Sequence, residues 1–296
     1  MATSPAAAAA PATAAVSSGD SGAMAPSAMA PSGGPTDYDI LNFALNLECL
    51  EAEYYSNAVY GYGLNQTTLG DGPGSGPGSV GGLKANLSPE LLAIATELAN
   101  DEINHVVDLR TYLGVNQVPC PKMDIGSSFT SLGNKALGVS GFFPYNSDIN
   151  FLLGAFLFED VGVTAFHGAI PLLKNNTLLN LIAGIAPVEA YHAAILRTLL
   201  YQKGSEFVTP YQIRVFDFVQ GLSNLRGKAG DGKDQGIVVP PADGRSGAYP
   251  FANLVPQDGT GLAFSRTPSE VLAIVYGGNA SQPGTFYPNG MNGYFK

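Results

Sequence analysis

The sequence predicts an all-α protein: a four-helix bundle with one long crossover, an added helix and an irregular C-terminal extension. Three observations carry that reading. Four long segments repeat apolar residues at helical spacing and open on capping residues. A connection over residues 114–146 separates the second segment from the third, long enough to cross the end of a bundle and let those two helices run parallel. Two of the three histidines stand three residues after a glutamate within such segments, as Glu102–His105 and Glu189–His192. That spacing places each pair on one helix face, about one turn apart.

The first helix is expected over about Tyr38–Tyr60, capped by Thr36, Asp37 or Asp39 and stopped by Gly61 and Gly63. Residues 61–87 are rich in Gly, Pro and Ser and read as a surface loop. Ser88-Pro89 opens the second helix, which runs to Leu113 and ends at Gly114. The 114–146 connection reads as irregular. The third helix spans about Asp148–Ile170, and its body from Phe151 to Phe158 is apolar nearly all round, the mark of a buried helix. The fourth spans about Leu178–Gln202 with Pro187 inside it, where a kink just before Glu189 is expected. A fifth helix follows at about Tyr211–Leu225. Thr267-Pro268-Ser269-Glu270 reads as a capping box for a short helix to Tyr276. The bundle with its fifth helix thus occupies residues 36–226. Residues 227–296 form a loop-rich extension packed on it.

Composition narrows the partners. Of 296 residues, 45% are apolar and 13% charged, so a core is easily built, and 37 glycines imply long, sparsely charged loops. The net charge is -10, with no Lys or Arg before Lys84. This argues against nucleic acid and against an anionic membrane surface. No run reaches the roughly 20 apolar residues of a membrane span. Residues 178–200 come closest but are interrupted by Glu189, His192 and Arg197. Residues 1–35, almost entirely Ala, Pro, Ser, Gly and Thr, lack a basic signal region and the arginines of a transit peptide. They read as a disordered tail. Cys49 and Cys120 are expected to be ordinary thiols, not a bridge.

The chemistry lies in the bundle interior. Around Glu189 and His192 no Lys, Arg or Asp occurs between Lys174 and Arg197, whereas a solvated face would carry more charge. Glu102 and His105 have more charged neighbours, and their case rests on repeating the same spacing. Glu159 follows an eight-residue apolar run and is expected to point inward. On the first helix, Glu48 shares the apolar stripe with Leu41 and Ala44. Tyr55, two turns on, is placed to donate to a ligating carboxylate. Glu51 is the alternate ligand there, although Glu51 and Glu53 also suit a solvated position. His167, about 12 Å along the axis from Glu159, is too far to join the site. Four buried carboxylates with no Lys or Arg among them cannot stay ionised unaided. Two divalent cations would neutralise them, and mixed oxygen and nitrogen donors suit iron or manganese.

With these residues in place, the chain resembles the ferritin-like family, and within it the desiccation-related proteins of plants, algae and microbes. The likeness is carried by Asp39–Tyr55 (DILNFALNLECLEAEYY), Glu102–His105, Phe158–Leu172 (FEDVGVTAFHGAIPL) and Glu189–Leu200. Ser265–Tyr276 (SRTPSEVLAIVY) and Pro283–Gly293 (PGTFYPNGMNG) are similar to the plant branch in particular. The resemblance covers roughly residues 36–296. It implies Glu102 and Glu189 as bridging carboxylates, His105 and His192 as terminal nitrogen ligands, and Glu48 and Glu159 as terminal carboxylates. It also implies a link to desiccation stress and points to secretion, with which sequons at Asn65, Asn175 and Asn279 are compatible.

Three functions compete: a di-iron or di-manganese oxidoreductase acting on oxygen or peroxide, a stress-protective or metal-sequestering protein without turnover, and a metal-free structural bundle. No motif points to an organic substrate or electron partner. Symmetric self-association is left open.

Overall fold

The computed structural model describes residues 33–239 and 251–296. Eight helices are present among them: α1 (Asp37–Tyr60), α2 (Gln66–Leu69), α3 (Pro89–Leu113), α4 (Ser127–Leu137), α5 (Asp148–Ala169), α6 (Asn176–Gln202), α7 (Val215–Ala229) and α8 (Pro268–Val275). The all-α reading is correct. Helices α1, α3, α5 and α6 are the four long ones, and the main packing pairs α1 with α3 and α5 with α6. Contacts of α1 with α5 and of α3 with α6 close the bundle. The rest of the described chain adds only two-residue strands in three small ribbons. The disordered tail expected over residues 1–35 falls, as far as residue 32, outside the described residues.

α1 is the axis of the molecule. Its entry is fixed by a reciprocal capping box between Thr36 and Asp39, and Gly61 in the left-handed conformation (φ 82°) closes it. Every residue from Ile40 to Val59 is buried, because the C-terminal chain covers the face that the bundle leaves open. Tyr287 Oη donates to the Asn46 carbonyl at 2.8 Å, Asn46 and Asn292 exchange hydrogen bonds of 2.9 and 3.0 Å, and Phe295 meets Phe43 edge-on at 5.4 Å. The C-terminal extension also holds α8, which packs on α5 and α7.

Several expectations need correction. The 114–146 connection is not irregular throughout: a short 3-10 turn (Gly114–Asn116) and α4 lie within it. α4 packs on α7, and its Phe129 is buried among Tyr54, Phe142, Phe158 and Phe286, so tertiary contact supplies the stability that its polar, glycine-containing sequence does not. The fifth helix begins and ends four residues later than expected, at Val215 and Ala229. α6 runs as helix from Asn176 to Gln202 with Pro187 inside it.

Cys49 and Cys120 are not thiols but a disulfide, tying α1 to the chain beyond α3. Neither residue looks paired in sequence because they lie 71 residues apart; folding brings their Cα atoms to 5.9 Å. Closing a loop of that length stabilises the fold by about 4 kcal/mol in the chain-entropy description.

By length and composition alone, Asp148–Leu172 and α6 are apolar enough to cross a membrane. In the most apolar 18-residue stretch of the first, 89% of the residues are buried inside the protein, as in a core helix. α6 turns Glu189, His192 and Arg197 into the bundle.

Candidate metal centre

Seven side chains from four helices converge on the bundle interior. α1 contributes Glu48 and Glu51, α3 Glu102 and His105, α5 Glu159, and α6 Glu189 and His192; all seven are buried. Two groups of donor atoms can be drawn, each within 4.8 Å: Glu48, Glu102, His105 and Glu189, and Glu102, Glu159, Glu189 and His192. Glu102 and Glu189 belong to both. The two halves of the cluster therefore share a pair of carboxylates, one from α3 and one from α6, and each half has its own histidine and its own terminal glutamate.

The distances follow the same division. His105 Nδ1 lies 3.2 Å from Glu48 Oε2, 3.3 Å from Glu102 Oε2 and 3.5 Å from Glu189 Oε1. His192 Nδ1 lies 2.8 Å from Glu102 Oε1 and 3.5 Å from Glu159 Oε2. The imidazole rings stand 6.2 Å apart. Two supports lie outside this set. Tyr55 Oη donates a short hydrogen bond to Glu159 Oε1. On its far side, His192 Nε2 faces Asp101 Oδ2 at 3.2 Å, an arrangement that orients an imidazole and sets its tautomer. Asp101 was not singled out by the sequence, since it reads as one more charge on a half-solvated stripe; its position next to Glu102 was the only available signal.

Most of the cluster is unsatisfied internally. Glu48 Oε1, Glu51 Oε2, Glu102 Oε1, Glu159 Oε2, both Glu189 oxygens and His192 Nδ1 are buried without a hydrogen-bond partner. Thus His192 Nδ1 and Glu102 Oε1 approach to 2.8 Å yet are not aligned as donor and acceptor. Lone pairs facing one another across a dry space are costly unless a cation sits among them. The donor set is carboxylate oxygen and imidazole nitrogen without thiolate, so it fits iron or manganese and does not resemble a structural zinc site.

Electrostatics agree. Burial, reinforced by Glu102 and the other carboxylates, pushes Glu48, Glu51 and Glu189 well above the ordinary carboxylate range. Burial also raises Glu159, against the opposing pull of His192. Glu102 is the exception. Burial would raise it too, but its contacts with His105 and His192 hold it below its ordinary value. Burial would likewise depress both histidines, yet Glu102 raises His105, and Glu159 with Glu102 raises His192. The directions are thus opposed within one interior: Glu102 is shifted toward its charged form by the two imidazoles, and the other four carboxyls toward their protonated forms by burial and mutual repulsion.

Glu51 and Glu53 are not solvated, contrary to the alternative left open above; they are only 3% and 2% exposed. Glu53 has a local structural task, accepting from the Leu64 N–H at 2.9 Å and from Asn57 Nδ2 at 3.1 Å. Glu51 has no such partner for Oε2 and borders the centre. His167 is outside it, with Nδ1 3.1 Å from the Phe264 carbonyl. Gly162, not noticed in the sequence, makes room for the cluster: a Cβ there would lie 2.1 Å from Glu189 Oε2.

The profile of the ferritin-like domain matches residues 36–202, which hold all four long helices and the whole cluster. The chain belongs to the ferritin-like family. It is 36% identical over 265 residues to the desiccation-related protein PCC13-62 of Craterostigma plantagineum, covering 87% of this chain and 83% of that protein. It is 34% identical over 268 residues to the ferritin-like catalase Nec2 of Nesocodon mauritianus, covering 87% and 84%. No solved structure matches the chain.

Proposed function

We propose that this ferritin-like protein holds two redox-active ions, iron or manganese, and uses them on hydrogen peroxide. Glu102 and Glu189 would be shared by the pair, Glu48 with His105 would hold one ion, and Glu159 with His192 would hold the other. The observation that carries the reading is the sharing of Glu102 and Glu189 by two four-residue donor groups. The similarity to a protein named as a ferritin-like catalase supports peroxide as the substrate.

Two such ions supply paired one-electron changes, so that one peroxide is reduced to water and a second oxidised to dioxygen. The chain's own residues bind, orient and manage protons. Asp101 fixes the His192 ring, and Tyr55 holds Glu159 in place by donating to Oε1. Glu51 lies beside the bridging Glu189 with a free buried oxygen, where it can hold a proton moving between two peroxides. The apolar packing of α1 and α5 excludes bulk water.

The test is metal content by mass spectrometry on protein produced in iron- or manganese-replete medium, followed by oxygen release from peroxide. About two equivalents with turnover is expected, and both should be lost in Glu189→Ala. Less than a tenth of an equivalent, with melting unchanged by chelators, would overturn the centre itself. A second reading is favoured by the desiccation-related relative: a protective, metal-sequestering protein. Metal without peroxide turnover would select it.

A further inference from the structure

A cavity of about 370 Å³ lies between α1, α4, α5, α7 and α8. Its size is within the range of pockets for small organic ligands. Its wall is apolar over most of its extent, with Leu50, Leu157, Val161 and Phe286 among the side chains. It has two distinct ends. The outer end is bordered by Lys135, Lys228 and Gly278, all exposed; the inner end is bordered by Glu51 and Gly162, both within the bundle.

The inner end abuts the carboxylate cluster. A Cβ on Gly162 would lie 2.1 Å from Glu189 Oε2 and 3.4 Å from Glu51 Oε1, so the cavity wall at Gly162 runs directly beside these two carboxylates. Glu51 is the one cluster carboxylate that lines the cavity, and its Oε2 is buried without a hydrogen-bond partner.

The outer end is positive on a protein of net charge -10. Among the described residues neither lysine is in an ion pair; Lys135 Nζ donates to the Gly277 carbonyl at 3.1 Å. Both lysines lie in the last turns of their helices, where cations are favoured by the helix dipole alone. That preference does not account for the two helix ends meeting over one apolar cavity. Arg226, also on the wall, is neutralised by Asp160 and Asp234 and adds no free charge.

We propose that this cavity binds an amphipathic organic anion, a medium-chain carboxylate, with its head at Lys135 and Lys228 and its apolar chain reaching toward Glu51. The binding does not require a loaded centre. That the ligand would reach a metal centre rests on the reading given under Proposed function.

Decanoate serves as the probe, titrated calorimetrically into the full chain, once chelated and once metal-loaded. A single saturable site is expected in both forms, with acetate silent and decyltrimethylammonium at least tenfold weaker. The double variant Lys135→Glu/Lys228→Glu should weaken decanoate at least tenfold, and Leu225→Trp, which fills the half-buried part of the wall, should abolish binding, each with a wild-type melting curve. Absence of saturable decanoate binding to the wild type would overturn the proposal, as would equal binding of the cationic probe or indifference to both variants. Should either variant fail to fold, the contrast between decanoate and decyltrimethylammonium on wild type decides alone. Decanoate binding by a protein that takes up no metal would sink the two-metal reading and leave the cavity assignment standing.

Discussion

Glu159 and Asp160 are neighbours on α5, and each enters a different buried charged cluster. Asp160 Oδ2 accepts from Arg197 Nη1 and Arg226 Nη2, both at 2.7 Å. Arg226 and Arg266 reach Asp234 at 2.9 and 3.1 Å, and Arg197 Nη2 donates to the Gly236 and Asn253 carbonyls. The three arginines are at most 2% exposed, and each reaches a carboxylate, although Asp160 Oδ1 and the Nε atoms of Arg226 and Arg266 have no partner. Glu159 joins four other buried glutamates and two histidines with no Lys or Arg, and seven polar atoms of this set have no partner. The first cluster compensates itself and fastens α5, α6 and α7 to the C-terminal extension. The second has no arginine or lysine to offset its carboxyls and leaves seven polar atoms unpartnered. Burial alone does not distinguish the two clusters; the presence of a counter-charge does.

The largest expected effect is in the compensated cluster. Asp160→Ala removes the carboxylate shared by two buried guanidiniums, Arg197 keeping only backbone carbonyls, and should cost about 3–5 kcal/mol in urea unfolding. Glu189→Gln removes a carboxyl that already tends to hold its proton, so chelated protein should unfold within about 1 kcal/mol of wild type while metal uptake is lost. A loss for Glu189→Gln as large as for Asp160→Ala would mean that the carboxylate cluster is satisfied internally, and the contrast would collapse.

pH separates the clusters next. Glu48, Glu51, Glu159 and Glu189 are raised in the folded state, so above the ordinary carboxylate value of about 4.3 the folded chain binds more protons than the unfolded one. His105 and His192 are also raised, so their contribution is present below about 6.5 and is lost as pH rises through the folded values. Glu102 acts oppositely but is a single group. Chelated protein should therefore melt lower at about pH 8 than at about pH 5. Metal uptake should strengthen over the same range, because the ligands must shed those protons. A chelated protein whose melting rises with pH would contradict this assignment.

The smallest effect is at the edge of the centre. Tyr55→Phe removes the donor to Glu159 without opening a cavity. It should weaken metal binding about 10-fold, read by competition with a chelator, and cost about 1 kcal/mol of stability.

Much of this was legible beforehand. The two Glu-x-x-His pairs, the apolar run before Glu159 and the stripe through Glu48 are local patterns, set by helix periodicity and by how rarely an unpaired charge is buried. The helix caps at Thr36, Ser88 and Thr267 were legible because a cap is a contact between residues three apart.

What escaped depends on distance in sequence. The Cys49–Cys120 bridge spans 71 residues. α4 is stabilised by α7, which begins well after it ends. Glu51 resembles a solvated residue until the C-terminal chain covers it, and Glu53 until the loop after α1 folds over it at Leu64 and Ser79. Gly162 is an ordinary helix glycine until Glu189 from α6 occupies the place of its side chain.

The sequence by itself determined where the four long helices form and marked both Glu-x-x-His pairs and Glu159 as inward-facing, since these follow from spacing along one chain. Only the tertiary structure decided that Glu159 meets imidazoles and carboxylates while Asp160 meets arginines. About 100° of helix rotation separates the two side chains, and what lies at the end of each depends on helices the local sequence cannot see.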